Sequence, residues 1–124
     1  MGTRSLTYVY DKSISDSPFM CMYRQYDGYP PGHGAELAKF LKDVDHNGIT
    51  CLAASMVAHF KTGPYNIYLY PPDLDQDCWQ QYEYHVYNEY VKVTTLGQES
   101  LLFDGTWEEF TEFCTPDETE ESVE

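Results

Sequence analysis

Gly32-His33-Gly34 stands immediately before a stretch of helical periodicity, a place where free backbone N–H groups and the positive end of a helix dipole can receive an anion. Arg24, on a preceding segment of strand character, adds a guanidinium able to hold a phosphate in bidentate fashion, and Tyr26 and Tyr29 add rings on which a base can stack. Arg24, Tyr26, Tyr29, Gly32, His33 and Gly34 together form a candidate site for a nucleotide-derived small ligand, sequestered rather than turned over. The glycines do not match a Walker loop, and the dinucleotide fingerprint lacks its third glycine, so simple turn formation is the competing reading.

A second constellation would carry thiol chemistry. Cys51 falls at the start of the next helical stretch, where the thiolate is favoured, and His85 on a later strand is its candidate base, oriented by Asn88 or Glu83. That order, helix cysteine then strand histidine, parallels papain-like thiol hydrolases in element sequence alone. His59 is too far to serve, since eight residues of helix separate it from Cys51 by roughly 12 Å. His33 and His46 have no neighbours at ligand spacing. The four cysteines, Cys21, Cys51, Cys78 and Cys114, include no Cys-x-x-Cys pair, so no structural zinc, other metal or cofactor is expected, and the thiols are expected to be reduced.

The third feature is charge. Seven Lys and Arg stand against 21 Asp and Glu, a net charge of -14. The excess lies wholly beyond residue 72, where Lys92 is the only Lys or Arg. Asp73, Asp75, Asp77, Glu83, Glu108 and Glu109 are the acids expected to form an ordered negative face for a protein partner. Direct nucleic-acid binding is excluded, because phosphate neutralisation needs cations this chain does not have. The competing reading is that acidic surfaces serve solubility. Twelve tyrosines, clustered at 23–29, 65–70 and 82–90, suit half-buried strands and also recognition surfaces.

These residues need elements to hold them. Leu6 to Tyr10 and Phe19 to Tyr26 read as antiparallel strands, followed by a loop with three glycines and two prolines in residues 27–34. Leu37, Phe40, Leu41 and Val44 mark one face of a first helix, ending near Asn47-Gly48. Leu52, Met56, Val57 and Phe60 mark a second helix, with Thr50 as its expected cap. Strands follow at Ile67 to Tyr70, Tyr82 to Tyr87 and Val91 to Leu96, with Tyr82, Tyr84 and Val86 on one face and Glu83, His85 and Tyr87 on the other. Thr106 with Glu109 forms a capping box for a third helix through Trp107, Phe110, Phe113 and Cys114. The expected fold is α+β, a mostly antiparallel sheet of about five strands packed by two to three helices. It occupies a single domain over residues 1–114, with a flexible acidic tail over 115–124.

At 124 residues, with 42% hydrophobic and 16% aromatic content, the chain suffices for one core and no second domain. Without an apolar run of 18 residues or a cationic-then-hydrophobic leader, a soluble, cytoplasmic protein is expected, free of the membrane. Leu6 stands where a myristoylation signal wants Ser or Thr, so no lipid anchor is expected.

The opening Met1-Gly2-Thr3-Arg4-Ser5-Leu6, the segment Gln25-Tyr26-Asp27-Gly28-Tyr29-Pro30 with Gly32-x-Gly34 after it, and later Cys51-Leu52-Ala53-Ala54 and Glu83-Tyr84-His85 resemble a family of small proteins of bacteriophages, large viruses and some bacteria. The resemblance covers most of the chain short of its acidic end. It implies a viral origin and marks residues 23–34 as the family's hallmark. The leading expectation is a non-enzymatic, acidic, tyrosine-rich binding protein that inhibits a host protein, such as a nucleic-acid-binding defence protein, by charge mimicry. Nucleotide sequestration at the Arg24 loop and a thiol hydrolase at Cys51 and His85 are the alternatives.

Overall fold

The computed structural model describes residues 3–13, 16–45, 48–64, 66–74 and 78–115. Six strands form one sheet: β1 (Ser5–Val9), β2 (Met20–Arg24), β3 (Ile67–Tyr70), β4 (Tyr82–Val86), β5 (Tyr90–Thr94) and β6 (Leu101–Thr106). Their order across the sheet is β3-β2-β1-β4-β5-β6. Every neighbouring pair is antiparallel except β1 with β4, whose parallel register sets Ser5 opposite Tyr82 and Val9 opposite Val86. The α+β class is as expected, with one more strand than the sequence indicated. β6 escapes detection because Leu101-Leu102-Phe103-Asp104-Gly105-Thr106 alternates poorly and lies at the sheet edge, largely exposed.

The helices α1 (Ala35–Asp43), α2 (Ile49–Phe60) and α3 (Trp107–Cys114) share one face of the sheet. Leu37, Phe40 and Leu41 of α1, Leu52, Met56 and Phe60 of α2, and Phe110 and Cys114 of α3 pack with Val9, Met22, Tyr84, Val86, Val91 and Val93 from the strands. The helical spacing of the first three groups and the alternation of the last are what bring them into one core. α2 begins before the expected Thr50: Gly48, at φ 90, takes the capping position, a backbone state that other residues resist. The capping box of α3 is formed as expected, with Thr106 Oγ1 accepting from the Glu109 N–H at 3.1 Å and Glu109 Oε1 accepting from the Thr106 N–H at 2.9 Å.

The opposite face is closed without a helix. Leu6, Tyr8, Tyr10, Cys21 and Tyr23 form a second buried cluster, with Tyr70, Leu74, Cys78 and Tyr87 against it. Leu74 and Cys78 belong to the connection between β3 and β4, which crosses this face to reach the far side of β1. Tyr8 donates to the Asp73 carbonyl at 3.1 Å, and the Gln81 N–H donates to the Arg4 carbonyl at 2.9 Å, tying both ends of the crossing to β1 and the residue before it. Residues 115–124, expected as a flexible tail, lie outside the described residues apart from Thr115. No helix among the described residues is long and apolar enough to cross a membrane.

Candidate functional site

The loop over residues 27–34 folds inward onto the sheet. His33 is fully buried, with its ring edge-on to Tyr84 at 5.1 Å and beside Phe60 at 5.0 Å. Arg24 lies 3.2 Å from His33 Nδ1 and can only donate, so Nδ1 accepts. The proton is then on Nε2, which donates to Thr7 Oγ1 at 2.7 Å. Burial, reinforced by the Arg24 charge, lowers the His33 pKa to about 3, so the ring is neutral. Arg24 also donates to the Tyr26 carbonyl and to Glu36 Oε1, each at 2.7 Å.

This geometry corrects the anion-site expectation. The structure does bring Arg24, Gly32, His33 and Gly34 together, but the backbone N–H groups of Gly32, His33 and Gly34 donate to the Tyr29, Asp27 and Tyr29 carbonyls. A phosphate would find those donors spent. The glycines answer to packing: a Cβ on Gly32 would come 2.5 Å from the Asp27 carbonyl oxygen, and one on Gly34 would come 2.6 Å from Cys114 Sγ. Tyr26 and Tyr29 are exposed, the latter donating to Asp27 Oδ1 at 3.1 Å. The Tyr84 hydroxyl reaches the Gly28 carbonyl at 2.6 Å and pins the loop to β4.

The thiol pair is not assembled. Cys51 sits in the first turn of α2, on the helix side, while the His85 ring stacks on Tyr8 and meets Tyr10 on the other side of the sheet. Alternation along β4 dictates this, because Tyr84 and Val86 occupy the helix-side core. Glu83, one of the two expected orienters, does lie beside His85 at 3.7 Å, but the nucleophile it was to serve is elsewhere. His59 packs against Phe40 at 5.1 Å, and His46 lies outside the described residues.

The acids are not on one face. Glu83 is fully buried and cannot belong to a presented surface; its strand is interior and its side chain points under the β3–β4 connection. Asp73 is exposed on that connection, and Asp75 and Asp77 lie outside the described residues. Glu108 and Glu109 are exposed in the first turn of α3, with Glu112 one turn on, although Glu109 is engaged in the helix cap. On the edge strand β6 Leu101 is 61% exposed and Leu102 also faces solvent, and on α3 the exposed Phe113 stacks on Phe103. Between α1 and α3 a groove of about 600 Å³ is floored by Leu41, Val44 and Trp107, with Lys42, Glu108 and Glu112 on its rim.

Glu83 is instead the centre of a network that the sequence left unassembled. It accepts at Oε2 from Gln80 Nε2 at 2.8 Å, and at Oε1 from Gln98 Nε2 and, more distantly at 3.4 Å, from the Thr94 hydroxyl. With the Thr94 proton directed to a carboxylate, Thr94 Oγ1 accepts from His85 Nε2 at 2.9 Å, and His85 Nδ1 accepts from the Tyr10 hydroxyl at 2.7 Å. Burial, with a smaller contribution from Lys92, lowers His85 to about 4 and keeps it neutral. Burial likewise raises the Tyr10 phenol well above its ordinary value. Two non-glycine residues with left-handed backbone flank the carboxylate's amide donors: Trp79 at φ 66 precedes Gln80, and Gln98 itself has φ 59. An acid and a histidine two residues apart on a strand otherwise built of Tyr and Val were the available signal. Among the described residues no group of His, Cys, Asp and Glu is arranged to hold a metal ion. No family model, curated protein or solved structure matches this chain.

Proposed function

We propose that this is a non-enzymatic binding protein whose acidic β6–α3 edge occupies a basic surface of a protein partner. The observation that carries the reading is the groove between α1 and α3, where Leu41, Val44 and Trp107 lie beside Glu108 and Glu112, two exposed carboxylates that make no ion pair among the described residues. Among the described residues Arg24 with Glu36 is the ion pair between an Arg or Lys and a carboxylate, and it lies away from this edge. Glu108 and Glu112 border the groove that holds Trp107, and Phe113, exposed on the same helix, supplies further apolar area. Aromatic anchors within a charged rim are the usual anatomy of a protein-binding patch, and the negative field steers a cationic partner to it. Charge mimicry of nucleic acid is retained in a narrower form, confined to α3 and its neighbouring edge. In this reading the partner is a host protein that binds nucleic acid.

The test takes a partner recovered with the wild-type protein and measures its affinity by calorimetry at 50 and 300 mM salt, with duplex DNA as competitor. Glu108→Lys with Glu112→Lys is expected to weaken binding at least tenfold, more than removal of residues 116–124 does, and DNA is expected to compete. These two positions leave the capping box intact. Equal affinity of the double reversal, or indifference to salt and DNA, overturns the reading.

A further inference from the structure

We infer that the recess on the helix-free face, between Tyr10, Tyr87 and Lys92, is a binding site for a small planar anion whose ring carries an N–H donor. The recess holds about 280 Å³ and is lined by Tyr10, Leu74, His85, Tyr87, Lys92, Thr94, Gln98 and Leu101, so aromatic and apolar walls rise from a floor of polar groups. That composition is the ordinary make-up of a small-molecule pocket, at the small end of the size range. Its floor is fixed on both sides: Tyr10 holds His85 Nδ1, Thr94 holds Nε2, and Glu83 behind them orients Thr94 and Gln98. Gln98 spends its amide nitrogen on Glu83, which leaves Oε1 as the acceptor it can offer to a ligand N–H. The left-handed backbone at Gln98 and Trp79 is a cost the fold bears in the residues that aim amides at this carboxylate, and strain of that kind gathers at functional sites.

The anionic character of the ligand follows from the cations. Lys92 lies 6.0 Å and Lys12 5.2 Å from the centre of the Tyr87 ring, and among the described residues neither makes an ion pair, although Asp16, Glu89 and Asp104 stand on adjoining segments. In a chain of net charge -14, two lysines gathered at the Tyr87 ring, Lys12 also meeting the Tyr90 side chain, are a pair that an anion can recruit. A second recess of about 330 Å³, lined by Lys12, Tyr87, Asn88, Glu89 and Tyr90, adjoins the first at Tyr87. Tyr10, Tyr87 and Tyr90 are stacked in register, with centroids 4.4 Å apart and interplanar angles of 11° and 5°. Tyr87 is the middle rung, so a planar ring can extend that ladder at Tyr90, on the second recess, while its charged group reaches Lys12. Nucleoside monophosphates and aromatic carboxylates share the required chemistry.

The experiment is a thermal-shift and calorimetric titration of the full chain with the four ribonucleoside monophosphates, their uncharged nucleosides, inorganic phosphate and indole-2-carboxylate, each to 5 mM. A ligand held by the folded state alone raises the melting temperature. The expected result is saturable binding of at least one monophosphate or the carboxylate, with the matching uncharged compound or phosphate alone at least tenfold weaker. Lys92→Gln, at a half-buried position, and Lys12→Gln, at an exposed one, are expected to weaken that binding at least fivefold without moving the ligand-free melting temperature. Glu108→Lys with Glu112→Lys is expected to leave it unchanged, which separates this site from the acidic edge. No shift with any compound, or binding indifferent to both lysine substitutions, overturns the assignment.

Discussion

Each face of the sheet buries one neutral histidine whose Nε2 donates to a threonine: His33 to Thr7 on the helix side, and His85 to Thr94 on the other. The partners at Nδ1 differ. His33 accepts from Arg24, a cation anchored by Glu36, and its ring packs against Phe60 of α2 and Tyr84 of β4. His85 accepts from Tyr10, and behind its threonine stands a buried carboxylate held by two glutamine amides. The comparison teaches that the helix side has a conventional apolar core with one polar clip. The other side relies on a satisfied polar network, because an irregular crossing segment supplies little apolar area to cover it.

The comparison can be broken by substitution. Phe110→Ala, at a fully buried position of the helix-side core, is expected to cost about 3–5 kcal/mol in urea unfolding. Glu83→Gln keeps size and shape but sets an amide N–H₂ against the Gln80 or Gln98 donors, with an expected loss of about 1–3 kcal/mol. A neutral outcome there would show that the second face does not depend on its carboxylate.

Acid unfolding sharpens the same point. Folded His33 and His85 have pKa values lowered to about 3 and about 4, whereas unfolded histidine titrates near ~6.5. Above that unfolded value both states are neutral and stability is whole. As pH falls, the unfolded chain takes up protons first, so stability declines by about 1.4 kcal/mol per pH unit for each histidine, down to the folded pKa. His33→Gln and His85→Gln are each expected to remove one such share of the slope between pH 6 and 5; an unchanged slope in either would place that histidine outside the linkage. Thr106→Ala is the smallest expected effect, about 1 kcal/mol from the lost cap of α3, and leaves both faces alone.

Periodicity carried most of the fold into view. The apolar faces of α1 and α2, the capping box at Thr106 and the two-faced pattern of β4 are local signals that the structure keeps, except that Val57 of α2 stays outside the core and Val44 follows the end of α1. β6 was illegible because Asp104 and Gly105 serve other needs than strand propensity. A Cβ at Gly105 would meet Glu109 Oε1 at 2.5 Å, so glycine there accommodates the helix cap. The site was harder to read, for a reason visible at Glu83 and His85. Their shared face was plain from alternation, but whether that face was wet depended on residues 71–81, a segment with no period to announce that it crosses the sheet. The loop over residues 27–34 misled in the opposite way. Its glycines resemble an anion cradle in sequence, yet the Gly32 and Gly34 N–H groups are answered by the Tyr29 carbonyl within the turn, and that of Gly28 by the Thr3 carbonyl.

The parallel pairing of β1 with β4 also sets a timetable for the chain. Ser5 waits for Tyr82, 77 positions later, before the middle of the sheet can zip, and loop closure over that span is among the slowest kinds of contact to make. A nascent polypeptide therefore carries β1 with one edge unpaired until residues 82–86 have emerged, and commits to its final topology only then.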